Sequence, residues 1–327
     1  MNKLIAVILI GVLTIVVSLS ACSEKVSKVT VTIGQNPGET KSLIYIAEER
    51  GLFTDNGIEV VYKNYDSGAA SASASLKGEV DMAACAEYVV IGSVLKKENT
   101  GIIAVIDKFE NVYIVARFDK GIQDITDIKG KRIGVARQTS AEFYLGRFLD
   151  LHGMSIHDII PVNIPPAQSL DALESGNVDA VAVFEPNAYE IRRKLGDTVI
   201  VWPAQSGQLN YFNIISTDSW IADHQETISR LLEALVKAED YIVSYPDEAK
   251  EIIRKRLQNS EDYINKIWPE HQFSVSLDRG LIAAMEDEAR WMISNNLTME
   301  KQVPDFMDYI YEDALKALKP EAVNIIR

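Results

Sequence analysis

Histidine is scarce in this sequence, and the short motifs of common enzyme sites are missing. The chain of 327 residues has four histidines, at positions 152, 157, 224 and 271. None of them falls in a loop after a predicted strand, where a base could activate a serine or cysteine nucleophile. The sequence also lacks a Gly-x-Ser-x-Gly elbow, a dinucleotide-binding Gly-x-Gly-x-x-Gly, a phosphate-binding P-loop and a Cys/His set for zinc. We therefore expect no catalytic residues, no metal and no cofactor.

Positive charge is also in short supply. Lysine and arginine total 33 against 47 aspartates and glutamates, which gives a formal net charge of -14. A protein face that binds nucleic acid needs clustered lysine and arginine to contact the phosphates. The composition therefore argues against a nucleic-acid partner, and the negative charge indicates solubility.

Long hydrophobic runs are limited to one, at the N-terminus. Lys3 precedes a nearly unbroken apolar stretch from Leu4 to Val17, which is typical of a secretory signal and not of a folded element. The run closes on Leu19-Ser20-Ala21-Cys22, which resembles the lipobox of bacterial lipoproteins. No later segment has the 18 or more apolar residues that a membrane-spanning helix needs. We expect a signal peptide at residues 1–21, an acylated Cys22, a tether over residues 22–28 and a soluble remainder.

Cysteine occurs twice, as Cys22 and Cys85. If Cys22 carries lipid, Cys85 has no partner within the chain, so a disulfide framework is excluded. Cys85 ends the apolar stretch Met82-Ala83-Ala84-Cys85. This position predicts a buried structural thiol and not a reactive one.

What the sequence does contain is a regular alternation of short strand-like runs and amphipathic helical stretches. Such alternation predicts an α/β fold with parallel sheets and right-handed crossovers. The predicted strands are Val29 to Gly34, Ile58 to Tyr62, Val80 to Ala84, Ile102 to Ile106, Val112 to Ala116, Arg132 to Ala136, Ile159 to Asn163, Ala180 to Phe184, Val199 to Trp202 and Tyr211 to Ser216. From Asp218 onward the pattern is almost entirely helical.

One short pattern occurs twice. Gly78-Glu79-Val80-Asp81 and Gly176-Asn177-Val178-Asp179 each follow a helical stretch and precede or enter a predicted strand. The two copies occupy the same point of successive α/β stretches. The repeat predicts two α/β units and not one.

Several segments together resemble a known family through their order and spacing. The segments that carry the resemblance are Ala47 to Phe53, Asn56 to Val60, Ser67-Gly68, Gly78 to Asp81, Ile128 to Val135, Ala172-Leu173, Gly176 to Ala180 and Glu185-Pro186. The family that they resemble is the extracytoplasmic solute-binding proteins of ABC importers in the nitrate, sulfonate and taurine group, which also includes carriers of the thiamine pyrimidine precursor. The likeness extends from about Val29 to Thr217.

The resemblance implies a two-lobed clamp of the type II periplasmic-binding-protein class. It implies a first lobe from residues 29–116 and 214–327 and a second lobe from residues 117–213. The chain is then expected to cross between the lobes near residues 115–117 and 213–215. A clamp of this kind closes around its ligand by hinge bending.

Ligand-binding residues are expected just after the strands, because loops meet beyond the carboxyl ends of strands in open α/β sheets. Tyr211 is added because it lies close to the second expected crossing, next to the cleft. The predicted ligand-binding set is Asn36, Ser67, Gly68, Glu87, Lys108, Thr139, Ser140, Glu185 and Tyr211.

The chemistry of the ligand stays open between two alternatives. Thr139 and Glu142 fit a capping box, and a helix start of this kind also offers amides that can hold an anion. Glu87 and Glu185 have the opposite implication, because buried carboxylates would favour a ligand with N–H donors or positive charge. The acids favour a nitrogenous or heterocyclic ligand, with a sulfonate or nitrate as the alternative.

The sequence as a whole predicts a monomeric solute-binding lipoprotein of an ABC importer. Its expected place is the cell envelope outside the cytoplasm, where it is anchored to a membrane by lipid and delivers a small organic ligand to the permease subunits. A ligand-sensing module and a pyrimidine-synthesis-like enzyme are the less favoured alternatives.

Overall fold

The computed structural model describes residues 28–325. The signal-peptide and acylation predictions, including Cys22, lie outside the described residues. Within residues 28–325, no helix combines the length and the apolar character needed to cross a bilayer.

Strands and helices alternate through the first two thirds of the described chain. The strands are β1 Val29–Gln35, β2 Ile58–Asn64, β3 Met82–Ala86, β4 Gly101–Phe109, β5 Val112–Arg117, β6 Arg132–Val135, β7 Ile160–Asn163, β8 Ala180–Phe184, β9 Val199–Pro203, β10 Asn210–Ser216 and β11 His271–Gln272. The α-helices are α1 Ser42–Glu49, α2 Leu52–Asp55, α3 Gly68–Leu76, α4 Glu87–Leu95, α5 Ser140–Leu151, α6 Ser169–Glu174, α7 Asn187–Leu195, α8 Asp218–Asp223, α9 Gln225–Ser244, α10 Pro246–Leu257, α11 Glu261–Ile267, α12 Arg279–Ser294 and α13 Asp313–Leu318.

The first sheet has six strands in the order β11-β4-β10-β3-β1-β2. Strands β4 and β10 lie in its interior and are buried along nearly their whole length, as expected for strands covered on both faces. The edge strand β2 alternates instead between covered and exposed residues. The sheet is mixed, because β10 runs antiparallel to both β3 and β4 and β11 runs antiparallel to β4.

The second sheet has five strands in the order β7-β6-β8-β5-β9. Strand β6 pairs in parallel with β7 and β8, whereas β5 pairs antiparallel with β8 and β9. The two-lobed α/β fold is therefore confirmed, but the expectation of purely parallel sheets was wrong. Each antiparallel pair contains a strand next to a crossing between the sheets, which is β4, β5 or β10.

The chain passes between the sheets at residues 110–111 and 204–209. The crossings expected near residues 115–117 and 213–215 were wrong, because those residues pair inside β5 and β10. The predicted lobe limits at 116/117 and 213/214 fall within the same two strands. An apolar strand has the same sequence pattern in either sheet, so the pattern alone does not say which sheet it joins.

Gln205 connects the two crossings. Its side-chain oxygen accepts hydrogen bonds from the backbone N–H of Asn111 at 2.7 Å and of Val112 at 2.9 Å. Its side-chain nitrogen donates to the backbone oxygen of Phe109 at 3.1 Å and of Gln208 at 2.8 Å. The amide is almost fully buried, so it satisfies backbone groups that water does not reach.

The repeated Gly-x-Val-Asp pattern has a structural explanation. In the first copy the Asp81 carboxylate accepts hydrogen bonds from the backbone N–H and the hydroxyl of Thr32, at 2.7 and 2.6 Å. In the second copy the Asp179 carboxylate accepts from the backbone N–H of Arg132 at 2.9 Å and pairs with its guanidinium. Each aspartate thus ties the strand that follows it to the neighbouring parallel strand.

The helical C-terminal third packs on the first sheet and also contacts the second lobe. Helix α12 packs against both α4 and α5. Trp291 of α12 lies edge-on to Phe143 of α5, with ring centroids 5.7 Å apart. A Cβ on Gly146 would lie 2.3 Å from the Trp291 ring, so this close approach requires glycine.

Candidate functional site

The strand ends of the two lobes meet around the crossings. Strands β1, β3 and β4 end on the same side of the first sheet, and β6 and β8 end on one side of the second. The first crossing leaves the end of β4, and the second enters the start of β10. The predicted residues at the ends of β3, β4 and β8 therefore lie next to the crossings.

Lys41 is the one buried lysine or arginine among residues 28–325. It precedes α1, and its ammonium lies 4.4 Å from the centroid of the Phe212 ring. The ammonium makes no hydrogen bond or ion pair with any side chain that the structure describes. Burial lowers the pKa of Lys41 to about 7, against the opposing effect of the Glu39 and Asp107 carboxylates.

Sequence reasoning missed Lys41, because the search stopped at the residues directly after β1. A signal was present, since a cation at the start of a helix is disfavoured by the helix dipole. A lysine at this position therefore indicates that its ammonium interacts with something outside the helix.

Asp107 and His271 form a buried pair next to Lys41. The ring nitrogen Nδ1 of His271 lies 2.6 Å from the Asp107 carboxylate. The His271 ring is also stacked on Phe109 and Phe273, with centroids 5.5 and 5.1 Å away. Burial acts to lower the pKa of His271, but the Asp107 carboxylate outweighs it and raises the pKa. Asp107 thus has its own cation and does not neutralise Lys41 by direct contact.

Glu87 is fully buried at the start of α4, where β3 ends. It approaches Glu288 of α12, and neither carboxyl group has a hydrogen-bond partner of normal geometry. Burial raises the pKa of Glu87 to about 8 and also raises the pKa of Glu288. Glu87 is therefore mostly protonated at pH 7, so it repels an anion much less than a carboxylate would.

Glu185 is buried at the end of β8 and already has several partners. Its carboxylate accepts a hydrogen bond from the backbone N–H of Tyr189 at 2.6 Å and pairs with the Arg192 guanidinium. The ammonium of Lys266 lies 3.4 Å away on its other side. These contacts account for a buried carboxylate at this position without a ligand.

The start of α5 differs from the predicted capping box. The Thr139 hydroxyl donates to the backbone oxygen of Ala136 at 2.7 Å and accepts nothing from the helix. The Glu142 carboxylate accepts from the backbone N–H of Gln138, the residue before the cap, at 2.9 Å. The capping-box prediction was therefore wrong, because Gln138 takes a left-handed conformation with φ of 60° that turns its own N–H toward Glu142.

Ser140 nevertheless lies at a helix start with unpaired backbone donors. Neither its N–H nor that of Ala141 makes a hydrogen bond with a described backbone oxygen. Both residues are nearly fully buried. Amides in this position can bind an anionic group.

Asn36, Ser67 and Gly68 come together beside β3. The Ser67 hydroxyl caps α3 by accepting from the backbone N–H of Ala70 at 3.1 Å. A Cβ on Gly68 would lie 3.2 Å from the Cβ of Cys85 and 3.9 Å from the side-chain oxygen of Asn36. Cys85 itself is a buried free thiol, as predicted.

Lys108 and Tyr211 are turned toward the C-terminal segment. The Lys108 ammonium pairs with the Asp278 carboxylate. The Tyr211 hydroxyl lies so near Gly280 that a Cβ there would be 2.2 Å from it. The structure therefore gives Lys108 an ion-pair partner within the protein and places the Tyr211 hydroxyl against the start of α12.

A groove of about 910 Å³ leads away from the start of α5 between α3 and α4. Its lining also includes Arg137, Gln138 and Glu142 near the start of α5, and Leu297 and Met299 after α12. Within residues 28–325, no three His, Cys, Asp or Glu side chains are arranged to hold a metal ion.

The sequence matches one known protein family and several proteins of known name. Residues 40–249 match the family described as NMT1/THI5 like. YtlA of Bacillus subtilis strain 168, provisionally named a binding protein, is 25% identical over 256 residues, which are 74% of each chain. A second protein of that strain, provisionally named an aliphatic sulfonates-binding protein, is 25% identical over 68% of this chain and 72% of its own.

Solved structures show the same fold. The alkanesulfonate-binding protein SsuA from Xanthomonas axonopodis pv. citri, bound to MOPS, superposes with a TM-score of 0.75 at 16% identity, over 87% of this chain and 99% of that one. The desulfurization enzyme DSZB also shares the fold, with a TM-score of 0.66 at 16% identity over 89% and 99% of the two chains. The fold alone therefore does not separate binding from catalysis. Because the family match covers more than half of the chain, this protein belongs to the NMT1/THI5-like family.

Proposed function

We propose that this protein is the solute-binding component of an ABC importer. It captures a small organic ligand between its two lobes and presents the ligand to the permease subunits. In this proposal an acylated Cys22 holds the protein to a membrane outside the cytoplasm. Support comes from the binding proteins among its relatives and from two lobes joined by two short crossings.

The buried ammonium of Lys41 carries the proposal about the ligand. An unpaired buried cation destabilises a protein, and a ligand anion would give Lys41 the partner that the described chain lacks. The expectation of a nitrogenous ligand rested on Glu87 and Glu185. Glu185 has internal partners and Glu87 is mostly protonated at pH 7. The geometry therefore favours the sulfonate-type alternative, an organic anion whose charged group contacts Lys41.

A thermal-shift screen with matched ligands tests this proposal. Each alkyl sulfonate or carboxylate is compared with the neutral amide and the amine of the same chain length, because a ligand that binds the folded state raises the melting temperature. We expect anions alone to stabilise the wild-type protein. The Lys41→Met variant should bind them about 10- to 150-fold more weakly, which corresponds to losing a charge-assisted hydrogen bond.

The matched control is Lys120→Met, which removes an exposed lysine without an ion pair in the described chain and should bind like wild type. A heterocycle or amine that binds Lys41→Met as tightly as wild type, and binds Glu87→Gln more weakly, would contradict the anion proposal. That result would support the nitrogenous alternative.

A further inference from the structure

A second polar cluster joins the two lobes next to the first crossing. On the second lobe it consists of Tyr113, Glu185, Tyr189 and Arg192, and on the C-terminal segment of Tyr263, Lys266 and Glu270. We call these seven residues the interlobe clasp. Six of these residues were not singled out in the sequence for any role, and Glu185 was expected to contact the ligand.

Four side-chain contacts of the clasp connect the lobes. The Tyr113 hydroxyl donates to the Glu270 carboxylate at 2.6 Å. The Lys266 ammonium lies 3.4 Å from the Glu185 carboxylate and 5.5 Å from the Tyr189 ring centroid. The rings of Tyr189 and Tyr263 meet edge-on, with centroids 5.1 Å apart.

The remaining contacts stay within the second lobe. Arg192 pairs with Glu185 and also lies over the Tyr113 ring, 4.9 Å from its centroid. The backbone N–H of Tyr189 donates to Glu185 as well. If the lobes separate, Glu185 therefore loses Lys266 but keeps a cation and a backbone donor. A carboxylate that remains paired makes opening far less costly than one that is left buried alone.

The different exposures of Glu185 and Lys266 are consistent with an ion pair that can form and break as the lobes move. The Glu185 side chain is 1% exposed, whereas Lys266 is 36% exposed at the edge of the cluster. A lysine in this position returns to water easily when the contact breaks. The clasp thus joins a fixed acceptor on one lobe to a releasable cation on the other.

We propose that Lys266 is a positioning residue that sets the balance between closed and open lobes, acting through Glu185 and Tyr189 without touching the ligand. This inference rests on the proposed function only in taking the lobes to move about the crossings. Removing the Lys266 ammonium should raise the open population about three- to tenfold before any ligand is added, which is the size expected of a partly exposed ion pair with an added aromatic contact.

The test is a distance measured between the lobes without ligand. Nitroxide labels are placed by Lys77→Cys in the first lobe and Asp197→Cys in the second, both at exposed positions. The full chain carries Cys22→Ser, and Cys85 is fully buried, so the introduced thiols are the accessible ones. Pulsed electron paramagnetic resonance then gives the distribution of label distances.

We expect Lys266→Met to shift population toward longer distances and Lys266→Arg to restore the parent distribution. The control Lys194→Met removes an exposed lysine of α7 and should leave the distances unchanged. In the parent chain, raising the salt concentration should produce the same shift as Lys266→Met, because salt screens a partly exposed pair. This second measurement applies even if a variant folds poorly.

Unchanged distances in Lys266→Met, together with no response of the parent to salt, would overturn the clasp. If such a protein still bound its ligand, the proposed function would stand without it. Failure to find any ligand would leave the distance result intact, so the two proposals fail separately.

Discussion

At the scale of single residues, three buried lysine or glutamate side chains make no hydrogen bond of normal geometry and no ion pair within the described chain. They are Lys41, Glu87 and Glu288. Burial disfavours the charged form of each group, so it lowers the pKa of Lys41 and raises the pKa values of Glu87 and Glu288. All three therefore approach neutrality near pH 7, which is how a protein tolerates unpaired groups in its interior.

The buried pair of Glu87 and Glu288 should make the free energy of unfolding depend on pH. The pKa of Glu87 rises from an ordinary 4.5 to about 8 in the folded state, so the folded protein holds more protons than the unfolded chain between these values. By linkage, this group's contribution to stability is fully present below about pH 4.5 and is lost as the pH rises toward 8. Glu87→Gln should remove that loss and raise the free energy of unfolding at pH 8 by about 1 to 3 kcal/mol.

Urea unfolding at pH 5 and pH 8 measures this difference. Glu79→Gln, at an exposed position, is the control and should keep the wild-type pH dependence. An equal loss of stability between pH 5 and pH 8 in Glu87→Gln and wild type would show that Glu87 is not the group responsible.

At the scale of secondary-structure elements, the sequence predicted all ten strands of the first two thirds with ends displaced by at most three residues. It did so because apolar runs with β-branched residues, such as β8, are bounded by helix-forming stretches. The two-residue strand β11 was missed, since His271-Gln272 has no strand pattern of its own and pairs only because β4 presents a free edge. The antiparallel orientation of β5 and β10 was missed for a related reason. Strand direction depends on the route between lobes, which local pattern does not encode.

The crossings offer a prediction at this scale. Gln205→Leu keeps the size of the side chain but leaves two backbone N–H groups and two backbone oxygens of the crossings without their buried partner. We expect the free energy of unfolding to fall by about 2 to 4 kcal/mol, because unsatisfied buried polar groups are costly. Denaturant unfolding of the variant measures the change.

Gln208→Leu is the matched control, because the Gln208 side chain makes no hydrogen bond within the described chain. It should lose less than about 0.5 kcal/mol. Equal stability of the two variants would mean that the Gln205 amide does not hold the crossings together.

At the scale of the whole molecule, the sequence did not predict which side chains of the candidate site pair with distant parts of the chain. The rule that ligands bind after strand ends predicted residues at the sheet ends next to the crossings, but it could not identify their side-chain partners. Glu185 pairs with Lys266, 81 residues further along the chain, and Lys108 pairs with Asp278, 170 residues away. Contacts of that separation depend on how the C-terminal segment packs across both lobes. The same packing leaves Lys41 without an ion pair, although its sequence position gave only a weak sign of it.

We propose a clamp whose lobes rotate about residues 110–111 and 204–209 and close on an organic anion held by Lys41. Small-angle X-ray scattering tests this claim most directly, using an anion already shown to raise the melting temperature of the protein. The radius of gyration of the wild-type protein should decrease when the anion is added at saturation, and that of Lys41→Met should not change at the same concentration. An unchanged radius of the wild-type protein with its verified ligand bound would contradict the clamp.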